Sequence, residues 1–360
     1  MTFVREKTVF PVVAALLACA CSKEISVGMV TDGGDTETGT DADTDTDTDT
    51  DTDTDTDTDT DTDTDTDTDP SCSWSVHASD SLNSVWGDSA NEVFMVGGLS
   101  IMESTILHYS AGTWNTLDPG IGTAGFTGVW GTGPSDVFVI CDGVVFLRYD
   151  GSSWEITDLF TDLLLGIWGS SSDDVFAVGG SILDPMVAHF DGTSWTEMSG
   201  IPTGTTLLYD VWGTSGSNVY AVGNGAIIRH DGSSWSSETM VLATVHSIWG
   251  SSASDIWAVG SDILGAPAAV YHKSGGSWDE VDMGSFGDDV VLNGVWGNGP
   301  DNVYAVGTRG TTDGAVFRYD GSDWGEVEGP FDFPLNDVWV AQTGEIFAVG
   351  TEGTVMCLYE

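Results

Sequence analysis

The chain has 360 residues and a formal net charge of −49, and its acids fall into two parts of different character. The first 70 residues hold 20 acids and 3 bases, which leaves 37 acids against 5 bases, a net −32, for the rest. A domain of that charge repels nucleic-acid phosphates and anionic lipid, so the composition excludes nucleic-acid binding. The remaining stretch is long enough for one large core.

The first 18 residues have the pattern of an export signal. Two bases, Arg5 and Lys7, precede an apolar run at residues 9–17. That run is too short to span a bilayer and is typical of a secretory signal peptide. We therefore expect the protein to be exported.

Two cysteines close this signal and are candidate lipidation sites. Leu16-Leu17-Ala18-Cys19 resembles the lipobox of bacterial lipoproteins, and the resemblance implies a lipid on Cys19. Cys21 is a second candidate, and an ordinary secretory signal is the alternative. In lipoproteins an aspartate after the cysteine favours the inner membrane. Its absence here implies the outer membrane or cell surface, with the periplasm or the medium as alternatives.

Residues 19–70 carry the anchor site and an acidic tether. Thirteen consecutive Asp-Thr dipeptides occupy residues 43–68. Like charges at every second position, with no apolar residue to bury, predict a disordered and extended segment. Alternating carboxylates also resemble the start of an EF-hand loop, so weak calcium binding stays open. The segment lacks that loop's glycine and closing glutamate, and we expect no dedicated metal site.

Residues 71–360 repeat one pattern. A Trp-Gly element recurs about every 42 residues, which is the spacing of β-propeller blades, at Trp86, Trp130, Trp168, Trp212, Trp249, Trp296 and, with Val340 in place of glycine, Trp339. Each copy holds four short β-rich segments, here called strands A to D, separated by turn residues. The sequence therefore predicts an all-β, seven-bladed β-propeller of four-stranded blades that we expect to be a monomer.

The last copy is divided between the two ends of the domain. Its strand D tryptophan, Trp74, lies at the start of the domain, while residues 341–359 supply the strands before it. We expect the N-terminal strand 71–76 to complete the last blade and close the ring. Export would place Cys72 and Cys357, on these paired strands, in an oxidising compartment, and a disulfide between them is a hypothesis. Two buried free thiols are the alternative.

Connection lengths distinguish the two faces of the predicted disc. The strand A tryptophan precedes the first strand B residue by seven positions in every copy, and the end of strand C precedes the strand D tryptophan by five. The B–C and D–A connections vary in length. In an up-and-down blade the A–B and C–D turns share one face and the other two connections share the opposite face. Binding residues usually lie on variable loops of a rigid frame, so we expect any site on the B–C and D–A face.

The Asp-Gly-Ser-Ser-Trp turns at Asp150–Trp154 and Asp231–Trp235 resemble the Asp-box of neuraminidase-type propellers. The resemblance implies that the aspartate holds the C–D turn and that the tryptophan packs between blades. The whole repeat resembles those of exported lipoproteins from myxobacterium-like bacteria. Photosystem assembly-factor propellers are similar in outline.

The candidate ligand residues on the variable face are mainly acidic: Glu103, Asp142, Asp184, Asp262, Arg309 and Asp313. They could hold calcium or a cationic ligand, or serve only solubility. We expect no other cofactor.

Strand C carries a base in most copies, at His108, Arg148, His189, Arg229, His272 and Arg318, with Leu358 in the last. We expect these bases to neutralise turn carboxylates such as Asp150; contact with an acidic partner is the alternative. The three substrate-gripping arginines of a sialidase are missing from the variable face, and no catalytic set is predicted. The leading hypothesis is a lipid-anchored binding or scaffold module for a protein or glycan of the cell envelope. The alternatives are a glycan-active hydrolase or lyase that uses loop carboxylates and a periplasmic assembly factor.

Overall fold

The structure is a computed structural model that describes residues 73–78, 81–100, 103–121, 125–141, 145–159, 162–181 and 183–358. The predicted signal, anchor and tether (residues 1–70) lie outside these residues. The described chain consists of twenty-six strands and a 3₁₀ helix at Gly284–Gly287, with no α-helix. The all-β prediction is confirmed.

The strands are numbered in chain order and form six sheets. The first strand, β1, is Ser73–Ala78. The next sheet holds β2 (Leu82–Ser89), β3 (Glu92–Ser100), β4 (Glu103–Ser110) and β5 (Thr113–Thr116). It is followed by β6 (Phe126–Gly133), β7 (Asp136–Cys141), β8 (Val145–Tyr149) and β9 (Trp154–Leu159). The third holds β10 (Leu164–Ser171), β11 (Asp174–Ser181), β12 (Asp184–Phe190) and β13 (Trp195–Glu197).

A larger sheet holds β14 (Leu208–Ser215), β15 (Asn218–His230), β16 (Trp235–Ser252), β17 (Asp255–Asp262), β18 (Ala268–Ser274) and β19 (Ser277–Glu280). The next holds β20 (Val290–Gly299), β21 (Asn302–Arg309), β22 (Asp313–Tyr319) and β23 (Trp324–Glu326). The last holds β24 (Leu335–Val340), β25 (Ile346–Gly350) and β26 (Gly353–Leu358), and β1 is its fourth strand.

The described strands group into six sheets because one strand runs unbroken through two sequence repeats. Strand β16 pairs with β15 through residues 235–244 and with β17 through residues 243–252. Its first half is therefore strand D of one repeat, and its second half is strand A of the next. Strand β15 likewise spans strands B and C of one repeat, pairing with β14 through residues 218–223 and with β16 through residues 224–230. The eight strands that the sequence predicts for two blades therefore form one sheet of six.

The first strands of successive repeats contact one another in a closed circuit. In order, β2, β6, β10, β14, the second half of β16, β20 and β24 are neighbours, and β24 returns to β2. Antiparallel sheets arranged radially in this way bury both faces against their neighbours and leave only short outer edges. The fold is a β-propeller with four-stranded blades.

The Trp-Gly element interlocks neighbouring blades. A Cβ atom built on Gly87, Gly131, Gly169, Gly213, Gly250 or Gly297 would lie 2.6–3.0 Å from the ring of the tryptophan one repeat earlier, and Trp339 is the tryptophan that contacts Gly87. At these six positions glycine leaves room for the indole, since real Cβ contacts are longer; the seventh position holds Val340, whose buried side chain belongs to a cluster against which Trp296 packs. The signature therefore records a packing contact that passes from blade to blade around the ring.

The last sheet confirms closure by the N-terminal strand and corrects the predicted register. Strand β1 pairs with β26, and Trp74 lies opposite Cys357. Cys357 also pairs with Ile346, as Tyr319 pairs with Val303 in the preceding blade. The repeat spacing predicted residue 359 at that place.

The two-residue shift arises because β25 and β26 are joined by a tight turn between Gly350 and Gly353. Met356 rather than Leu358 therefore occupies the strand C position that carries a base in other blades. Cys72 lies outside the described residues, and the Cys72–Cys357 disulfide stays a prediction.

Candidate functional site

The A–B and C–D turns share one side of the disc, the turn face. The Ala111 amide donates to the Asn91 carbonyl at 3.0 Å, joining a C–D turn to an A–B turn. A Cβ atom on Gly232, which has a φ of 90°, would lie 2.8 Å from the Ser217 Cβ. The turns pack directly on one another, so their lengths cannot vary.

The carboxylate of the C–D turn aspartate accepts hydrogen bonds from within the same turn. Oδ1 of Asp231 accepts the amides of Ser233 and Ser234, both at 2.9 Å. Asp150 and Asp320 make the equivalent bonds, and each of the three also accepts a serine hydroxyl. The Ser233 hydroxyl for Asp231, and the backbone amides first for the other two, lower the pKa of these aspartates to about 2. The role implied by the Asp-box resemblance matches this geometry.

The tryptophan that follows this turn packs against the preceding blade. The ring of Trp195 stacks on Phe146 with centroids 3.7 Å apart, and its Nε1 donates to Thr157. Trp324 meets Trp257 edge-on at 5.2 Å. The tryptophans of the turn face are thus occupied by packing against the preceding blade.

The strand C bases were expected to neutralise turn carboxylates such as Asp150, and the structure gives them other hydrogen-bond partners, four of which are carboxylates. Each base instead contacts the first residue of strand B in its own blade at 2.6–2.9 Å, in the pairs His108–Glu92, Arg148–Asp136, His189–Asp174, Arg229–Asn218, His272–Asp255 and Arg318–Asn302. The reason is that the turn aspartates already accept their own backbone amides. The bases also stack on aromatic rings, as His272 does on Trp257 at 3.8 Å.

The B–C and D–A connections share the opposite side, the loop face. Backbone hydrogen bonds of 2.7–3.2 Å join a B–C residue to a D–A residue in several blades, in the pairs Gly98–Ser81, Gly180–Leu163, Asn224–Leu207, Gly310–Asp289 and Thr351–Pro334. The predicted division into two faces is confirmed by these bonds.

Exposed large apolar side chains concentrate on the loop face. Five of the six found among the described residues lie in B–C or D–A connections: Leu183, Met240, Leu242, Ile263 and Leu264. The sixth, Ile156, lies on the outer strand β9. Where such side chains form a contiguous patch, they mark an interaction site.

The acidic candidates have diverse surroundings. Asp184 and Asp313 are exposed at the start of β12 and β22, on the loop face. Asp262 accepts the amide of Leu264 and shapes its own loop. Asp142 and the side chain of Glu103 lie outside the described part. The structure does not bring these acids together into one cluster among the residues it describes.

Arg309, the basic candidate, is neutralised by two acids. Its guanidinium contacts Asp289 and Glu326, each at 2.7 Å. It therefore ties a B–C connection to the neighbouring D–A connection and strand D. Among the described residues, no group of three His, Cys, Asp or Glu side chains could hold a metal ion.

Sequence reasoning missed the central channel, which the strand A segments line. It encloses a cavity of about 130 Å³. In each strand A a valine or isoleucine stands directly before the tryptophan, and the polar part of the cavity wall comes from the two residues before that valine or isoleucine. Asn83, Asn293 and Asn336 each donate to the backbone carbonyl that begins strand A of the next blade, at 2.7–2.8 Å. His246 makes the same contact through Nδ1 to Leu292. A carbonyl only accepts, so Nδ1 carries the proton.

Two channel aspartates join blades by a common arrangement. Asp210 accepts the Ile248 amide and the Ser247 hydroxyl of the next blade, each at 2.9 Å. Asp337 accepts the Val85 amide of the next blade at 3.0 Å. The equivalent position in the preceding blade is a glycine in both cases, because a Cβ atom there would lie within 3 Å of the aspartate backbone. A polar residue at this position was the only sequence signal.

The channel raises the pKa of both carboxyl groups. Burial raises the pKa of Asp210 to about 6, against the effect of its backbone hydrogen bonds. Burial, with the nearby charge of Asp210, raises the pKa of Asp337 to about 7. Both side chains still reach the narrow channel and are not fully shielded from water.

Comparison with known proteins shows the fold alone. No protein-family model matches the chain, and no curated protein does. The structure of YCF48 bound to D1 peptide is 12% identical with a TM-score of 0.61, covering 82% of this chain and 96% of that one. A streptogramin B lyase is 11% identical with a TM-score of 0.66, covering 80% and 98%. The extracellular domain of a hybrid two-component system from B. thetaiotaomicron is 12% identical with a TM-score of 0.61, covering 81% and 40%.

These similarities confirm a distant resemblance to other propellers. Within the described residues, no helix has the length and apolar character needed to cross a membrane.

Proposed function

We propose that this protein is a binding or scaffold module that recognises a protein partner through its loop face. The observation that carries the proposal is the one-sided placement of exposed apolar side chains, Leu242 and Leu264 among them, in B–C and D–A connections. Among the described residues the turn face offers no equivalent, because its aspartates and tryptophans are occupied by the turns and by neighbouring blades. Variable loops on a rigid frame are the usual place for recognition.

We also propose that the ring has seven blades. The closed circuit of first strands and the interlocking Trp-Gly contacts support this count, with the six-stranded sheet taken as two consecutive blades joined by β16. Projection images of the particle along its axis would test it. Six or eight lobes would contradict the proposal.

A partner of protein character is favoured by analogy with one similar fold. YCF48, which is a propeller at 12% identity, has been captured with a bound peptide. We assign no catalytic role to the channel carboxylates, because Asp210 and Asp337 both accept backbone amides of the next blade and thereby join blades. Calcium binding by loop acids stays a prediction, which calorimetric titration with calcium would check.

The test is capture from the native envelope by the full chain. A loop-face variant carrying Leu183→Ser, Leu242→Ser and Leu264→Ser should lose its partner. A turn-face variant carrying Asp88→Ser and Asp323→Ser, also exposed positions, should keep it. Equal capture by the wild-type protein and both variants would contradict the proposal.

We further propose export and a lipid anchor at Cys19, or else at Cys21, with the Asp-Thr segment as a tether to the outer membrane or cell surface. Support comes from the lipobox-like sequence and from a similar fold in the extracellular domain of a hybrid two-component system from B. thetaiotaomicron. Palmitate labelling should disappear when both cysteines are replaced by alanine. Labelling that persists would exclude this anchor.

A further inference from the structure

Four of the exposed apolar residues form one ridge on the loop face: Met240, Leu242, Ile263 and Leu264, here called the apolar ridge. Strands β16 and β17 pair at Ala243 and Asp262. The next residues outward are Leu242 in β16 and Ile263 in the turn that follows β17, so the two lie side by side at the end of this strand pair. The exposed fractions of Leu242 and Leu264 are 87% and 89%.

The ridge is built on ordered backbone. Side chains alternate along β16: Val241 and Ala243 are buried beneath, while Met240 and Leu242 face solvent. An ordinary half-buried strand places polar residues on its outer face. Here Met240 and Leu242 instead put apolar side chains on the outer face, where they are 63% and 87% exposed.

Hydrogen bonds within the neighbouring loop fix the positions of Ile263 and Leu264. Asp262 accepts the Leu264 amide through its side chain and the Gly265 amide through its carbonyl at 3.0 Å. The Asp262 amide in turn donates to the Pro267 carbonyl at 2.9 Å. Ile263 and Leu264 at the tip are thus held outward, and a partner would meet them with little ordering cost.

The charged side chains around the apolar ridge indicate which partners it can bind. Between Arg229 and Arg309 the sequence has one Lys or Arg, Lys273. That lysine is 5% exposed and paired with Glu238. The surface of this region therefore presents no free lysine or arginine.

Exposed acids lie nearby. The connection that contains Asp282 and Asp288 approaches the start of β18, the strand that follows Ile263 and Leu264, since a Cβ on Gly287 would lie 3.4 Å from the Ala268 Cβ. Both aspartates are exposed. An apolar partner surface flanked by Lys or Arg is complementary to this arrangement.

We propose that the apolar ridge binds an extended segment of a partner protein in which apolar residues are flanked by lysine or arginine. This inference rests on the proposed loop-face function and specifies its partner chemistry. A second copy of the chain would bring the same acids to the same surface, and like charges oppose that pairing. Anionic lipid is opposed for the same reason.

The experiment measures binding of labelled synthetic peptides to the full chain by fluorescence anisotropy at physiological ionic strength. The probe alternates leucine and lysine. One control peptide has serine in place of leucine and reports attraction to the acidic tether alone. Another has glutamate in place of lysine. The protein variants are Leu242→Ser with Leu264→Ser and, as a matched control, Ile156→Ser, which removes an exposed apolar side chain on β9.

We expect the leucine–lysine peptide to bind at least about tenfold more tightly than either control peptide. The ridge variant should lose that difference, and Ile156→Ser should keep it. Unchanged binding by the ridge variant, or equal binding of the glutamate peptide, would overturn the proposal. So would ridge-dependent self-association in light scattering or ridge-dependent binding to phosphatidylcholine vesicles.

The two experiments distinguish failure of the proposed partner chemistry from failure of the proposed loop-face function. If the peptides show no ridge-dependent binding while the envelope capture still depends on the loop face, the partner chemistry is wrong and the binding function stands. If capture is also independent of the loop face, both are wrong.

Discussion

The two faces of this propeller use the same residue types for opposite purposes. On the turn face Asp231 closes a tight turn whose length is fixed by contact with its neighbour. On the loop face Asp262 also caps a turn, but that turn presents Ile263 and Leu264 to solvent. The contrast shows that one face has been used for assembly of the ring, which leaves the other free to vary.

The comparison predicts different consequences of mutation. Changes at turn-side contacts should reduce stability, because those side chains join strands and blades. Changes on the loop face should leave stability nearly unaltered and act on binding.

The largest effect is expected at Lys273, a buried lysine near the turn face that pairs with Glu238 of the preceding blade and donates to Tyr220 at 3.0 Å. Lys273→Ala leaves the Glu238 charge without its partner and should lower the free energy of unfolding by about 3–5 kcal/mol. Lys273→Met keeps the volume; combined with Glu238→Gln it should be far less destabilising. Denaturant titration measures both, and equal losses would contradict a charge-based role.

The next effect tests the Trp-Gly interlock. A Cβ at Gly250 would lie 2.6 Å from the Asp255 carbonyl oxygen and 2.7 Å from the Trp212 ring. Gly250→Ala should therefore cost about 1–3 kcal/mol of stability through overpacking. Gly325→Ala is the control, because a Cβ there meets nothing within 4 Å. Thermal unfolding should separate the two variants; matching midpoints would refute the interlock.

The aspartates of the channel and of the turns should respond oppositely to pH. Asp337 has a folded pKa of about 7 against an ordinary value of 3.8, so the folded state holds its proton more tightly. Its contribution to stability is full below pH 3.8 and declines as the pH rises to about 7. Solvent in the channel reduces the effect to about 1–2 kcal/mol. Asp337→Asn should flatten this part of the stability profile.

For Asp231 the sign reverses. Its folded pKa is about 2, so its contribution is present above pH 3.8 and lost as the pH falls from about 4 to 2. Asp231→Asn should flatten only the acid limb of thermal unfolding followed against pH. A change confined to neutral pH would contradict the assignment.

The smallest effect on stability is expected on the apolar ridge. Leu242→Ser replaces a side chain that is almost fully exposed, so the free energy of unfolding should change by no more than about 0.5 kcal/mol. A loss of several kcal/mol in denaturant titration would show that the ridge is part of the core.

The repeat made the fold predictable from sequence, because the Trp-Gly spacing, the constant turn lengths and the divided last copy each correspond to a contact seen in the structure. The register of the last sheet was not predictable, since the tight turn after Gly350 moves Cys357 two positions along. The exposed ridge was also hidden. Met240 and Leu242 have the composition of a buried strand, and only the structure shows which side is uncovered.

The channel was missed for a different reason. Asp210 and Asp337 stand next to strand A valines in an otherwise apolar pattern, and a single polar residue there does not reveal a hydrogen bond to the next blade. Such contacts join residues far apart in the chain, and no local spacing encodes them.

The central claim is that recognition occurs on the loop face, and site-specific photo-crosslinking in cells that make the protein tests it directly. A photoreactive residue would replace Leu264 on the loop face or Asp323 on the turn face, both exposed positions. We predict a discrete crosslinked partner from position 264 and none from position 323. Crosslinking from position 323 alone would contradict the account.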